Sequence, residues 1–310
     1  MPGATSNGAR TRGGLTIVVA LALAGCGGGG GGTPAPDESL QARLLTDPRE
    51  DTALIFATSD HAVGEQRIAF VLLDSRGKAL EGATARVRIG RGGLESNAIA
   101  EVAARYEPLG RPVSAGQPGD EFDLQGIYVA HVQFDEPGRY SLLVEPDEGR
   151  LQGYGSVEVR ERSASPAIGA KAPSSDNPTV AEAAPEAITT ARPPDVELLR
   201  HSIRESIAGS KPFVVVFATP AFCMSRACGP TVEIVDTVRQ RIDPSTRFIH
   251  VEVYEGNDPR RGYNRWMKQW QLPTEPWIFV VDAEGTIRAK FEGIASVGEL
   301  ERAVRAMPAG

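Results

Sequence analysis

The stretch Phe213-Val214-Val215-Val216-Phe217-Ala218 runs directly into Thr219-Pro220-Ala221-Phe222-Cys223-Met224-Ser225-Arg226-Ala227-Cys228-Gly229-Pro230. An unbroken apolar run rich in valine and phenylalanine reads as a strand buried on both faces. The pattern beyond it predicts a helix over about residues 228–241, which puts two cysteines five apart at a strand-to-helix turn. A thiol there meets the unpaired N–H groups and the positive dipole end of the helix, which favour thiolate over thiol. Arg226 adds positive charge between the two sulfurs. Five steps of a regular helix rise about 7.5 Å, whereas the Cα atoms of a disulfide lie within about 6.8 Å. A redox-competent pair therefore needs Cys223 on the non-helical turn, with the helix starting at or after Ser225.

Outward from this turn, β and α patterns alternate. Apolar positions at 198, 199, 203 and 207, closed by Gly209, predict a helix over 195–207. A second strand is expected over 247–254, a short helix over 263–270, and a hairpin over 277–291 turning at 282–285. Ser296 with Glu299 three positions on forms a capping box for a last helix. Upstream, residues 49–160 carry short apolar runs at 52–57, 67–73, 83–89, 127–134 and 139–144, separated by Gly, Asp and Pro turns. That spacing predicts an antiparallel sandwich. His131 alternates outward from the face of Tyr128, Ala130, Val132 and Phe134. The weakly periodic residues 91–122 read as an excursion at one end of it.

The chain has 310 residues and a formal net charge of −7. Its size accommodates about two domains, and its charge argues against nucleic-acid binding. Arg10 and Arg12 precede a ten-residue apolar run over 15–24, which is too short to span a bilayer and reads as a secretion signal. Leu23-Ala24-Gly25-Cys26 resembles the lipobox of bacterial lipoproteins. The resemblance implies a lipid anchor on Cys26 and an extracytoplasmic, membrane-anchored location at the cell surface or in the periplasm. With Cys26 assigned to the anchor, two of the three cysteines remain, Cys223 and Cys228. A lone close pair in an oxidising compartment is a local staple or a redox centre.

The element order over residues 195–307 resembles the thioredoxin fold, and specifically extracytoplasmic proteins of the TlpA and ResA type. Phe217 and Phe222-Cys223 resemble the aromatics that lead into that family's active site, and Pro230 falls near the family's helix proline. The Leu272-Pro273-Thr274-Glu275-Pro276-Trp277 segment falls where the family has a cis-proline loop. The resemblance implies a cis bond at Pro276, with Pro273 as runner-up, and a substrate-binding role for Phe222, Glu275, Pro276 and Trp277. Four residues between the cysteines, rather than two, depart from the family pattern. Two registers stay open: Cys223 as nucleophile with Cys228 resolving, favoured by Phe222, or the reverse, in which Cys228-Gly229-Pro230 matches the family motif. No buried acid lies on the strand over 213–218, and Glu252 is the candidate substitute. Residues 126–144 resemble the closing strands of immunoglobulin-like domains.

The fold expected is thus an N-terminal all-β immunoglobulin-like sandwich plus a C-terminal α/β thioredoxin-like domain. The boundaries are a signal and lipidated cysteine over 1–26, a flexible tether over 27–48, the sandwich over 49–160, an Ala/Pro/Ser-rich linker over 161–193 and the second domain over 194–310. The function expected is thiol–disulfide exchange through Cys223 and Cys228. Its partners would be protein thiols or disulfides and a membrane electron donor, with no cofactor and no metal. The alternatives are a redox-inactive surface binding module with a structural disulfide, and a copper-handling protein similar to the Sco group that would recruit His201 or His250 beside the thiolates.

Overall fold

The stretch 126–134 alternates as the sequence predicts, yet its outer face is covered over the first half and exposed only at His131 and Gln133. Tyr128, Ala130, Val132 and Phe134 enter one apolar cluster, and Ile127 and Val129 enter another. The structure, a computed structural model, describes residues 38–82, 84–110, 124–223 and 227–308. Cys26, the apolar run 15–24 and Arg226 lie outside the described residues. All of the described residues belong to one compact unit, Gly32–Gly310.

A short helix, α1 (Leu40–Thr46), is capped by Ser39 and leads into β1 (Glu50–Asp51), β2 (Ala53–Phe56) and β3 (His61–Ala62). The long strands follow: β4 (Gly64–Leu73), β5 (Thr84–Arg91), β6 (Ala98–Pro108), β7 (Gly126–Phe134), β8 (Gly138–Pro146) and β9 (Leu151–Arg160). They form a nine-stranded sheet in the order β1-β9-β8-β5-β6-β7-β4-β2, with β3 also on β9. Because β1 and β2 are separated only by Thr52, the chain passes directly from the β9 edge to the β4 edge and almost closes the sheet into a barrel.

This overturns the expected immunoglobulin-like sandwich. A sandwich needs two sheets with a core between them. Here β5 bonds both β6 and β8, β7 bonds both β6 and β4, and the core lies inside one curved sheet. Two strands were not legible as strands. The inner positions of β6 include Ala100 and Ala104, whose small side chains leave little periodic signal. In β9, Gly153 and Gly155 interrupt the pattern because the closing segment crosses there. A Cβ on Gly153 would lie 2.9 Å from Leu72 Cδ2, and one on Gly155 would lie 2.8 Å from Phe56 Cε2.

The rest of the chain adds α2 (Pro185–Ile188), a 3-10 turn at Val196–Leu199, α3 (Ile203–Ala208), β10 (Phe213–Phe217), α4 (Cys228–Arg239), β11 (Arg247–Val251), α5 (Arg265–Gln269), β12 (Trp277–Val281), β13 (Ile287–Glu292) and α6 (Val297–Arg305). The strands form a four-stranded sheet, β11-β10-β12-β13, in which only β10 and β11 are parallel. The expectation of an α/β thioredoxin-like fold is overturned as well: strand outweighs helix, and the barrel-like sheet is the largest element. The helix expected over 195–207 breaks into the 3-10 turn and α3, because Ser202 caps a new helix with its own capping box to Glu205. The expected hairpin and the Ser296–Glu299 capping box are present.

The two sheets share a core. The outer face of the barrel, through Val71, Ile127 and Val129, packs in one cluster with Val232 and Val235 of α4, Leu300 of α6, and Val216, Ile278 and Val280 of the smaller sheet. Polar contacts lock the same junction. Arg67 of β4 grips Glu299 of α6 with two bonds of 2.7 and 3.0 Å. Glu292 of β13 accepts the Ser59 and Asp60 N–H groups, both at 2.7 Å. Gly293, at φ +67°, approaches so closely that a Cβ there would lie 2.1 Å from the Ala57 carbonyl oxygen. Gly293→Ala therefore combines left-handed strain with a backbone clash and should cost at least about 2 kcal/mol. Urea unfolding measures it, and a change within about 0.5 kcal/mol would show that the junction is looser than described.

Candidate active site

The five residues of β10 are all buried, held between β11 on one edge and β12 on the other. The chain leaves this strand through Ala218 and Thr219, turns where the Phe222 N–H donates to the Thr219 carbonyl (3.2 Å), and enters α4 at Cys228. Cys223 thus lies outside the helix, which begins at Cys228. The turn is tied from behind by Thr190, whose Oγ1 accepts the Ala221 N–H at 3.1 Å.

The two cysteines meet but are not joined as a disulfide. The Cys228 backbone N–H donates to Cys223 Sγ at 3.3 Å. Their environments differ. Cys228 is completely buried, while Cys223 is half-buried. Burial pushes the Cys228 thiol far above its ordinary range, and the adjacent Cys223 sulfur and the Glu275 carboxylate push the same way. Cys228 is therefore held as a thiol, with the more accessible Cys223 in front of it.

Of the remaining expected residues, Phe222 projects beside Cys223 with 41% of its surface exposed. Pro230 occupies the first turn of α4. The Glu275–Pro276 bond is cis, as is Arg192–Pro193. Trp277 is not brought to the thiols: it joins the cluster on the opposite face of β12, with Phe217 and Phe279, whereas Cys228 shares the other face with Ile278 and Val280.

Glu275 has partners that the spacing of the sequence did not signal. Its carboxylate accepts from the hydroxyls of Tyr254 (3.2 Å) and Tyr263 (2.8 Å), whose rings stack at 5.7 Å. Burial first, and Glu275 second, raise Tyr254 to about 12 and push Tyr263 up as well. Glu252, the candidate buried acid, accepts the Thr190 N–H at 2.8 Å and so braces the segment behind the turn. His250 has both ring nitrogens engaged, at Ala218 O (3.0 Å) and Thr189 Oγ1 (3.4 Å). Among the described residues, no three His, Cys, Asp or Glu side chains are grouped to hold a metal ion.

No protein-family model matches this sequence, and no curated protein is similar enough to count as a relative. The chemistry of the site therefore rests on its own geometry.

Two outcomes follow. In the native chain a small alkylating reagent should modify Cys223 well before Cys228, with Cys228 reacting only on unfolding; peptide mass spectrometry reads the order, and equal rates would contradict the burial difference. Glu275→Gln removes a negative charge beside Tyr254, so the Tyr254 phenol should titrate lower in the variant than in the wild type. Ultraviolet difference titration measures this shift, and an unmoved phenol would place the carboxylate elsewhere.

Proposed function

We propose that the protein is a thiol–disulfide oxidoreductase working through Cys223 and Cys228. The observation that carries the reading is the asymmetry of the pair, with an accessible sulfur on the turn and a buried thiol against it at the start of α4. The half-buried Cys223 is the nucleophile, and the completely buried Cys228 is the resolving thiol. Neither Glu275 nor the cis-proline bond is needed to state that order.

The chemistry runs in two balanced steps. Cys223, as thiolate, attacks one sulfur of a substrate disulfide; a mixed disulfide forms and the second substrate sulfur leaves as a thiolate. Cys228 then loses its proton to that leaving thiolate or to water and attacks Cys223 Sγ. The intramolecular disulfide forms and the first substrate sulfur departs. The substrate gains two electrons, and the protein dithiol supplies them. Burial is the main reason that Cys228 holds its proton, and the Cys223 sulfur adds to it; bonding of Cys223 removes that second contribution. Exposed Phe222 gives a substrate peptide an apolar contact beside the attacked sulfur. A second dithiol, reached from the membrane, returns the pair to its reduced form. The anchor on Cys26 and the extracytoplasmic location belong to the same proposal. Among the described residues no helix is long and apolar enough to cross a membrane.

Equilibration of the pair in glutathione buffers, read by thiol labelling, tests the function. A potential between roughly −120 and −270 mV, where exchange catalysts operate, is expected. Cys223→Ser should abolish exchange, and Cys228→Ser should accumulate mixed disulfides. A potential below about −300 mV would make the pair a structural staple and end this reading.

A further inference from the structure

Lys290 of β13 lines a cleft of about 730 Å3 where the barrel, the segment after β9 and the hairpin of β12 and β13 meet. The chain has four other lysines, Lys78, Lys171, Lys211 and Lys268, and all four are exposed, whereas Lys290 is half-buried. Its side-chain nitrogen donates to Ser163 Oγ and Ser165 Oγ, both at 2.8 Å. The serine protons have other outlets: Ser163 donates to Asp60 at 2.5 Å, and Ser165 Oγ lies 3.0 Å from Ser163 Oγ. Each serine oxygen therefore keeps a lone pair for Lys290.

Two of the three positions on Nζ are thus filled, and the third has no hydrogen-bond partner among the described residues. This arrangement suits the neutral amine. With the third proton gone, both remaining N–H groups stay bonded to serine, and the lone pair takes the position that the protein leaves unused. Burial pushes Lys290 below the usual lysine range, and the carboxylates of Asp60 and Glu292 oppose that shift without cancelling it. The other charged groups of the walls, Glu65, Glu161, Arg67 and Arg162, balance in sign, and His61 and His131 complete the titratable set. A desolvated lysine that gives up its proton easily is a nucleophile.

An anionic electrophile would be repelled by Asp60 and Glu292, so an uncharged one fits. We propose that Lys290 captures small uncharged aldehydes in this cleft as imines. The Nζ lone pair forms a bond to the aldehyde carbon, and one amine proton passes to the carbonyl oxygen. The carbinolamine then loses that oxygen as water, which carries away both amine hydrogens, and a C=N bond remains. No oxidant or reductant is consumed. Protonation of the imine gives an iminium, which Asp60 and Glu292 stabilise as they do the ammonium. The site is separate from the cysteine pair and does not depend on its redox role.

Incubation of the full chain at pH 7 with propanal and cyanoborohydride, which reduces each imine to a stable propylamine, tests the assignment. Peptide mass spectrometry then gives the rate at every lysine. Lys290 should be alkylated at least about fivefold faster than each of the four exposed lysines. Lys171 is the matched control, because it too donates to two oxygens, Glu284 O (2.7 Å) and Thr286 Oγ1 (3.0 Å), but on an exposed surface. A lysine that only braces the serines would be shielded and react last; that order, or equal rates, would overturn the proposal. Lys290→Arg, verified as folded by circular dichroism, should remove the fast phase and leave the other four rates unchanged, and a fast phase that persists would overturn it as well. The site-resolved rates of the wild type carry the test if the variant fails to fold. A Cys223→Ser chain should keep the fast phase, so loss of the redox function and loss of this site are read separately.

Discussion

The outer face of β4 and β7 is the surface on which the rest of the molecule depends. A barrel wall normally alternates between a packed inside and a solvated outside, but Val71, Ile127 and Val129 are apolar and buried on the outside. Left in water they would form a contiguous apolar patch. It is covered by one apolar layer, in which α4 and α6 join Val216, Ile278 and Val280 of the smaller sheet. That layer serves both sheets. The Arg67–Glu299 pair and the Glu292 contacts to Ser59 and Asp60 stand at the edge of that layer and fix its position along the strands.

That layer also sets the chemistry of the thiols. Helix α4 is buried along Thr231, Val232, Ile234, Val235 and Val238, so its first residue is carried into the core with it. Cys228 has no exposed surface for this reason. Cys223 precedes the helix, escapes the layer and receives the Cys228 N–H. Two identical side chains five residues apart acquire opposite surroundings, one a fully buried thiol and the other an accessible sulfur, through the placement of a helix end.

On the other side of β12 the same junction leaves space rather than filling it. Trp277 and Phe291 come from the smaller sheet, His61 and Arg67 from the barrel, and Ser163 and Ser165 from the segment that follows β9. Close approach at Gly293 and the bonds to Glu292 hold these walls in place. Glu292 and Asp60 are satisfied within the protein, whereas His61 Nε2 and Arg67 Nη1 are buried without hydrogen-bond partners.

Much of the local structure is written in the sequence because it rests on short-range physics. The buried run over 213–217, the cysteine turn with a helix after it, the 282–285 hairpin and the Ser296–Glu299 capping box need only neighbouring residues to be read. The strand periodicity of 127–134 is equally plain, and so is the outward side chain of His131. The sequence does not say which strands pair. One continuous barrel-like sheet and two facing sheets use the same alternation, and the choice turned on the passage from β1 to β2 across glycines of β9, which are 100 residues away in the chain. Strand β6 was hidden by its alanines, and the break in the helix expected over 195–207 by the capping strength of Ser202. At the candidate site, sequence alone determined that two cysteines flank a helix start, with Phe222 beside them. Only the tertiary structure decided which cysteine is buried, that Tyr254 and Tyr263 hold Glu275, and that Trp277 faces the cleft rather than the thiols, because burial and long-range contact are properties of the packed chain and not of residue spacing.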